Sequence, residues 1–241
     1  VRVLDFHPWN VSPREAAAIQ RRLRERLRLD DGPSVDDLRL VAGADCSYRR
    51  LEGATMAVAA VALLRFPELA VVETAVARTP VTFPYVPGLL AFREAPALLA
   101  AFRQLERVPD VVLFDGQGYA HPRRLGLASH LGVLLDLPTI GCAKSRLVGR
   151  AEEPGDARGA FAPLLDRGEV VGAAVRTKVG HAPLFVSPGY RIGVERAVAI
   201  VLACCRESPL PEPTRLADAL VKEQTRRLAV QDRVATRPGD D

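Results

Sequence analysis

An acid ends the apolar run Val111-Val112-Leu113-Phe114-Asp115, and Gly116-Gln117-Gly118-Tyr119-Ala120-His121-Pro122-Arg123-Arg124 follows directly. Such a run reads as a strand buried on both faces that delivers Asp115 to its own rim. The glycines on either side of Gln117 permit a backbone or a phosphate to approach closely, and two arginines stand just beyond. Two more carboxylates are unexpected where they lie: Asp45 inside the strand-like stretch Leu38 to Tyr48, and Glu94 opening a helix after Pro84-Tyr85-Val86-Pro87-Gly88. Three carboxylates on separate elements form a ligand set for one hard divalent cation. Phosphodiester cleavage needs such an ion, because charge on the scissile oxygens must be neutralised and a water made nucleophilic. Lys144, just past Thr139-Ile140-Gly141-Cys142-Ala143, falls at the same sheet edge, where an ammonium orients a water or offsets developing charge. Asp218, on the last helix, is an outer ligand candidate.

Each of these residues also has an ordinary structural reading. Asp45 could pair with Arg49 on a solvent-facing strand, Asp115 could cap the turn before Gly116, and Glu94 could simply suit a helix dipole. Lys144 alone reads as a surface lysine. His121 either faces the site, touching a phosphate or a water there, or bonds backbone within its turn; His130 reads as a packing residue of an apolar helix. None of the histidines has zinc-ligand spacing, and no serine sits in a Gly-x-Ser-x-Gly elbow.

The elements that must position these groups follow from local signals. Ser12-Pro13-Arg14-Glu15 predicts a capped helix from Pro13 to about Leu29. Strands are expected near 38–48, 55–66 and 69–79, joined as a meander by Leu51-Glu52-Gly53 and Pro67-Glu68. Alternation then predicts a helix at 92–106, a strand at 110–114, a helix at 123–136 and a strand at 138–143, with parallel pairing. Late strands at 169–178 and 182–186 precede helices at 193–205 and 214–230, the last capped by Thr214. Three antiparallel strands followed by alternating helix and strand is the order of an α/β, ribonuclease H-like fold, a mixed central β-sheet flanked by helices. In that fold Asp45 and Asp115 occupy adjacent strands.

With 241 residues and 48% apolar content, the chain is read as a single domain over 1–241 with a polar, frayed tail at 235–241. No run approaches the roughly 18 uncharged apolar residues of a membrane span, and no secretory pattern is present, so a cytoplasmic monomer is expected. The cysteines at 46, 142, 204 and 205 lack a disulfide or metal framework and read as reduced core residues. A net charge of +4 with pI near 9.1 points mildly to an anionic partner. The arginine-rich stretch Arg21 to Arg28 is either a solvated helix face or a contact to backbone phosphates.

The blocks VAGADCSY at Asp45, FPYVPGLLAFREAP at Phe83 and DVVLFDGQGYAHPRRLGLASHLGVLLDLPTIGCAKSRLVG at Asp110 together resemble the endonuclease V family. SPGYRIG at Ser187 and LPEPTRLADAL at Leu210 extend the resemblance, which spans roughly Leu40 to Lys222. It implies a DNA repair endonuclease that nicks at the second phosphodiester 3′ to deoxyinosine, with other deaminated bases as further candidate lesions, leaving 3′-hydroxyl and 5′-phosphate ends. It also implies that Asp45, Glu94 and Asp115 hold Mg²⁺ or Mn²⁺ beside Asp218, with Lys144 assisting. Pro84, Tyr85, Val86 and Pro87 would form a wedge beside the lesion, and backbone around Gly88 to Leu90 and Gly116 to Gly118, near His121, a base pocket. Some members carry a histidine after the acid aligned with Asp218; Ala219 stands here, which leaves a second-metal role at that corner open. An enzyme acting mainly on inosine-containing RNA, and a lesion-binding protein that does not cut, are the competing readings.

Overall fold

A computed structural model of the protein describes residues 1–30, 32–51 and 53–235. Helix α1 (Pro13–Arg24) starts as expected. The Glu15 amide donates to Ser12 Oγ at 3.3 Å and the Ser12 amide donates to Glu15 Oε2 at 2.8 Å, a reciprocal cap. The meander follows as β1 (Leu40–Leu51), β2 (Ala54–Arg65) and β3 (Ala70–Pro80), then α2 (Ala91–Phe102), β4 (Val111–Asp115), α3 (Leu127–Leu135) and β5 (Thr139–Ala143). Three more strands, β6 (Phe161–Asp166), β7 (Glu169–Val175) and β8 (Leu184–Tyr190), precede α4 (Val194–Cys204) and α5 (Glu212–Ala235). All eight strands join one sheet in the order β3-β2-β1-β4-β5-β8-β7-β6. Pairing is parallel for β1/β4 and β4/β5 and antiparallel elsewhere. This is the expected mixed sheet of a ribonuclease H-like fold.

Two-residue alternation along β4 builds both faces of the core. Val112 and Phe114 pack with Leu98 and Phe102 of α2 and Leu131 and Leu134 of α3. Val111 and Leu113 pack on the other side with Val198 and Val201 of α4. β1 shares the pattern, with Ala42 and Ala44 toward α2 and Val41 on the opposite face, which α5 covers. A run of this kind, buried on both faces, keeps the rim where Asp115 emerges from shifting in register.

Several boundaries differ from expectation. α1 ends at Arg24 rather than Leu29, and Arg26 turns out to lie over the Phe6 ring at 4.4 Å. α3 begins at Leu127 rather than 123, because Arg124 takes a left-handed backbone (φ 57°) and the segment before it is a loop. α5 begins at Glu212, so Thr214 lies inside the helix, where its hydroxyl donates to the Pro211 carbonyl at 2.9 Å. β6 has no counterpart among the expected strands. Pro163 argues against a strand in sequence, but it takes an exposed position of β6, and an edge strand is where a proline is tolerated. Glu52 of the expected β1–β2 turn, Asp31 of the break after the first helix, and the tail beyond Ala235 lie outside the described residues.

His130 is fully buried among rings, as a packing residue would be, and its Nε2 lies 2.8 Å from His7 Nε2. The four cysteines are unpaired, with Cys142, Cys204 and Cys205 buried. Among the described residues no helix is long and apolar enough to cross a membrane.

Candidate active site

The last paired residues of β1 and β4 are Ala44 and Phe114, so Asp45 and Asp115 are the next residues on adjacent parallel strands. Burial pushes the Asp45 carboxyl up to about 6, and the nearby Asp115 and Asp218 add to the rise. Arg49 is not among the charges that act on it. Glu94, in the first turn of α2, is 7% exposed and accepts a hydrogen bond from the Tyr48 hydroxyl at 3.0 Å. Burial raises it to about 8, and the charges of Asp45 and Asp115 act in the same direction. Lys144 extends from the end of β5 to place Nζ 2.6 Å from Asp115 Oδ2. Burial opposes its charged form, but Asp115, Asp45 and Asp218 more than offset this and hold the ammonium above its ordinary value. Asp218 on α5 is felt by both Asp45 and Lys144, while its own Oδ2 pairs with Lys222 at 2.6 Å.

The fold therefore gathers the five predicted groups into one field with surplus negative charge. Among the described residues no three side chains form a ready-made cage around a metal ion. Mutually repelling acids do not close on one another unaided, and Mg²⁺ in particular takes few protein ligands and keeps several waters. All-oxygen donors, two of them held toward protonation by burial and by neighbouring acids, fit a hard divalent cation and suit no soft one.

A cavity of about 420 Å³ opens beside this cluster. Tyr85, Val86, Pro87, Gly88 and Leu90 form one wall, Gly116 and Gln117 the other, with Asp115 and Lys144 at one end and His121 also in the lining. Tyr85 is 72% exposed, whereas Phe83 and Leu89 on either side of the loop are buried. Pro84 of the expected wedge and Gly118 of the expected base pocket do not line the cavity. Pro84 is exposed. Gly118 donates its amide to Ser187 Oγ at 2.8 Å, and a Cβ there would sit 2.3 Å from the Pro188 carbonyl. Its small size serves strand-to-loop packing rather than the approach of a phosphate.

Residues 21–219 match the family described as Endonuclease V. Endonuclease V of Roseiflexus sp. (strain RS-1) is 54% identical over 215 residues, covering 88% of this chain and 93% of the relative. This chain belongs to the endonuclease V family. It is accordingly a nuclease, and solved members share its fold. The Bacillus subtilis endonuclease V structure superposes with a TM-score of 0.92 at 32% identity, covering 96% of this chain and 100% of that one. Ciona intestinalis endonuclease V, in complex with DNA containing an inosine followed by a ribo-adenosine, superposes at TM-score 0.80 and 29% identity, covering 90% and 100%.

In this endonuclease V family member both arginines after His121 brace the structure. Arg124 pairs with Asp166 and Glu169, each at 2.8 Å, and so ties the loop after β4 to β6 and β7. Arg123 donates to the Gly88 carbonyl at 2.6 Å. His121 is 3% exposed, and burial, with Arg123 beside it, pushes its imidazole down to about 4. The ring is neutral across the physiological range and bonds the Gly88 carbonyl through Nε2 at 3.0 Å. Gln20, Ser145, Arg146 and Leu147 also line the cavity. The last three directly follow Lys144 in sequence, which is a local cue; Gln20, alone on α1, carries none.

Proposed function

We propose that this chain is a divalent-cation-dependent endonuclease that nicks DNA at the second phosphodiester 3′ to deoxyinosine, leaving 3′-hydroxyl and 5′-phosphate ends. The observation that carries this reading is the continuity of the cavity with the carboxylate cluster: Asp115 and Lys144 line the same space as Tyr85 and Gly88. A base turned into the cavity leaves its strand beside the acids, the arrangement an enzyme acting near a single base requires. Asp45, Glu94 and Asp115 would hold the cation, Mg²⁺ with Mn²⁺ able to substitute, and Asp218 would lie at its edge. When bound, that cation neutralises charge on the scissile phosphate and favours the ionised form of a water. Lys144 supplies a second positive charge at the same phosphate, and Tyr85 offers a ring to replace the lost stacking partner.

The inosine-containing DNA bound by the Ciona relative supports the choice of lesion. Its ribo-adenosine after the inosine also favours a second reading, an enzyme that acts on inosine in RNA, because a 2′-hydroxyl is accommodated there. End-labelled duplexes with one deoxyinosine, one ribo-inosine or no lesion, each in Mg²⁺, Mn²⁺ or chelator, separate the two. A cation-dependent nick one nucleotide beyond deoxyinosine is expected. Faster cutting of the ribo-inosine strand would move the function to RNA, and absence of cutting would reject both.

Tyr85→Ala is expected to weaken binding to the deoxyinosine duplex by about tenfold, the scale of one lost base-stacking contact. Affinity for undamaged duplex stays nearly unchanged, since a wedge matters only where a base has left the stack. Fluorescence anisotropy with both duplexes checks this, and an equal loss on each rejects the wedge.

A further inference from the structure

Three donors from two distant parts of the chain converge on the carbonyl oxygen of Gly88, in the cavity wall. Gln20 Nε2 reaches it from α1 at 3.1 Å, His121 Nε2 at 3.0 Å and Arg123 Nη2 at 2.6 Å. His121 Nδ1 accepts from the Arg123 amide at 3.2 Å, which places the ring proton on Nε2, where it can be donated to Gly88. Gln20 uses its remaining capacity on the same wall: Nε2 also donates to the Leu125 carbonyl at 3.2 Å, and Oε1 accepts from Arg123 Nε at 2.5 Å. Only one orientation of the amide satisfies all these partners.

Gln20 is 1% exposed. A residue needed there only for packing would be aliphatic, since a buried amide costs stability unless every bond is made. The site has been cleared for this contact. Gly88 takes a positive φ of 77°, and a Cβ on it would lie 2.8 Å from Arg123 Nη2. The other end of the loop is pinned as well, because the Phe83 carbonyl accepts from Arg93 Nη1 at 2.7 Å. Between these two anchors stands the exposed ring of Tyr85.

We infer that Gln20 is a positioning residue for lesion recognition: through the Gly88 carbonyl it holds the cavity wall and the Tyr85 loop in their receptive geometry before substrate arrives. The inference rests on the nuclease reading above and adds to it a determinant on α1, one residue ahead of the segment that matches the family. Pre-organisation of this kind strengthens selective binding because the ordering of the loop is not charged against the complex.

Two variants test it. Gln20→Met keeps the side-chain length and removes every bond; Gln20→Glu keeps the acceptor for Arg123 and removes both donations. Binding to deoxyinosine and undamaged duplexes, the melting temperature, and kcat and KM on the deoxyinosine duplex are measured for each. The ratio of lesion to undamaged affinity is expected to fall about tenfold in both, the scale of one or two lost hydrogen bonds. KM rises, kcat stays close to wild type, and the melting temperature does not account for the change. An unchanged ratio in the two variants, or a loss that follows unfolding and lowers both affinities together, overturns the role. Wild-type protein without preference for deoxyinosine overturns the underlying reading too, and is seen before any variant is made.

Discussion

Asp115→Asn is expected to fold, to bind a deoxyinosine duplex as the wild type does, and to cut it at least about a thousandfold more slowly. The amide keeps the volume and one oxygen of the carboxylate but loses its charge. On the proposed function two roles go with that charge: a share in holding the cation, and the anchor that sets Lys144 Nζ at 2.6 Å. A loss of about 4 kcal/mol of transition-state stabilisation, a few kcal/mol being the scale of such a contribution, corresponds to that rate. Stability moves the other way. Asp115 raises the carboxyls of both Asp45 and Glu94 by repulsion, so removing its charge relieves the cluster, and the variant melts no lower than wild type in chelator. Single-turnover cleavage with a thermal melt on the same preparation checks both statements. Cutting at a near-wild-type rate would mean that the chemistry lies elsewhere than at the rim of β4.

The rim itself is legible in the sequence because β1 and β4 follow local rules. An apolar run buried on both faces, ended by an acid before glycine, reads as a strand edge without knowledge of anything distant. The Tyr85 loop is legible for a similar reason, since two prolines stiffen a short segment between a strand and a helix. What stays hidden depends on contacts across the chain. Gln20 meets Gly88 across 68 positions and Leu125 across 105, so nothing in its own neighbourhood marks it out. Gly118 is open to a backbone or a phosphate, and sequence alone does not choose between them; the Pro188 backbone is what approaches it. The same limit explains Arg124, whose partners Asp166 and Glu169 lie on a hairpin that includes the unexpected strand β6.

Raising the pH of the cation-free protein from about 5 to 8 is expected to lower its melting temperature, and adding Mg²⁺ is expected to restore most of the loss at pH 8 and little at pH 5. Glu94 has an ordinary value of 4.5 and stands near 8 in the fold; Asp45 moves from 3.8 to about 6. In both cases the folded state binds protons more tightly than the unfolded chain. The stability they contribute is therefore fully present below the unfolded values and is lost as pH rises through the folded ones. A tenfold difference in proton affinity is about 1.4 kcal/mol, and with allowance for relaxation the window is worth on the order of 3 kcal/mol, or roughly 5–10 °C for a chain of this size. A divalent cation reverses the penalty because it binds the ionised carboxylates of the folded state alone. Glu94→Gln carries the decisive control: an amide cannot ionise, so the pH slope flattens and the protection by Mg²⁺ shrinks together. A wild-type melting temperature that is level from pH 5 to 8 in chelator would show that burial and mutual repulsion do not hold these acids toward protonation in the fold. Protection by Mg²⁺ that survives in Glu94→Gln undiminished would place the cation away from α2.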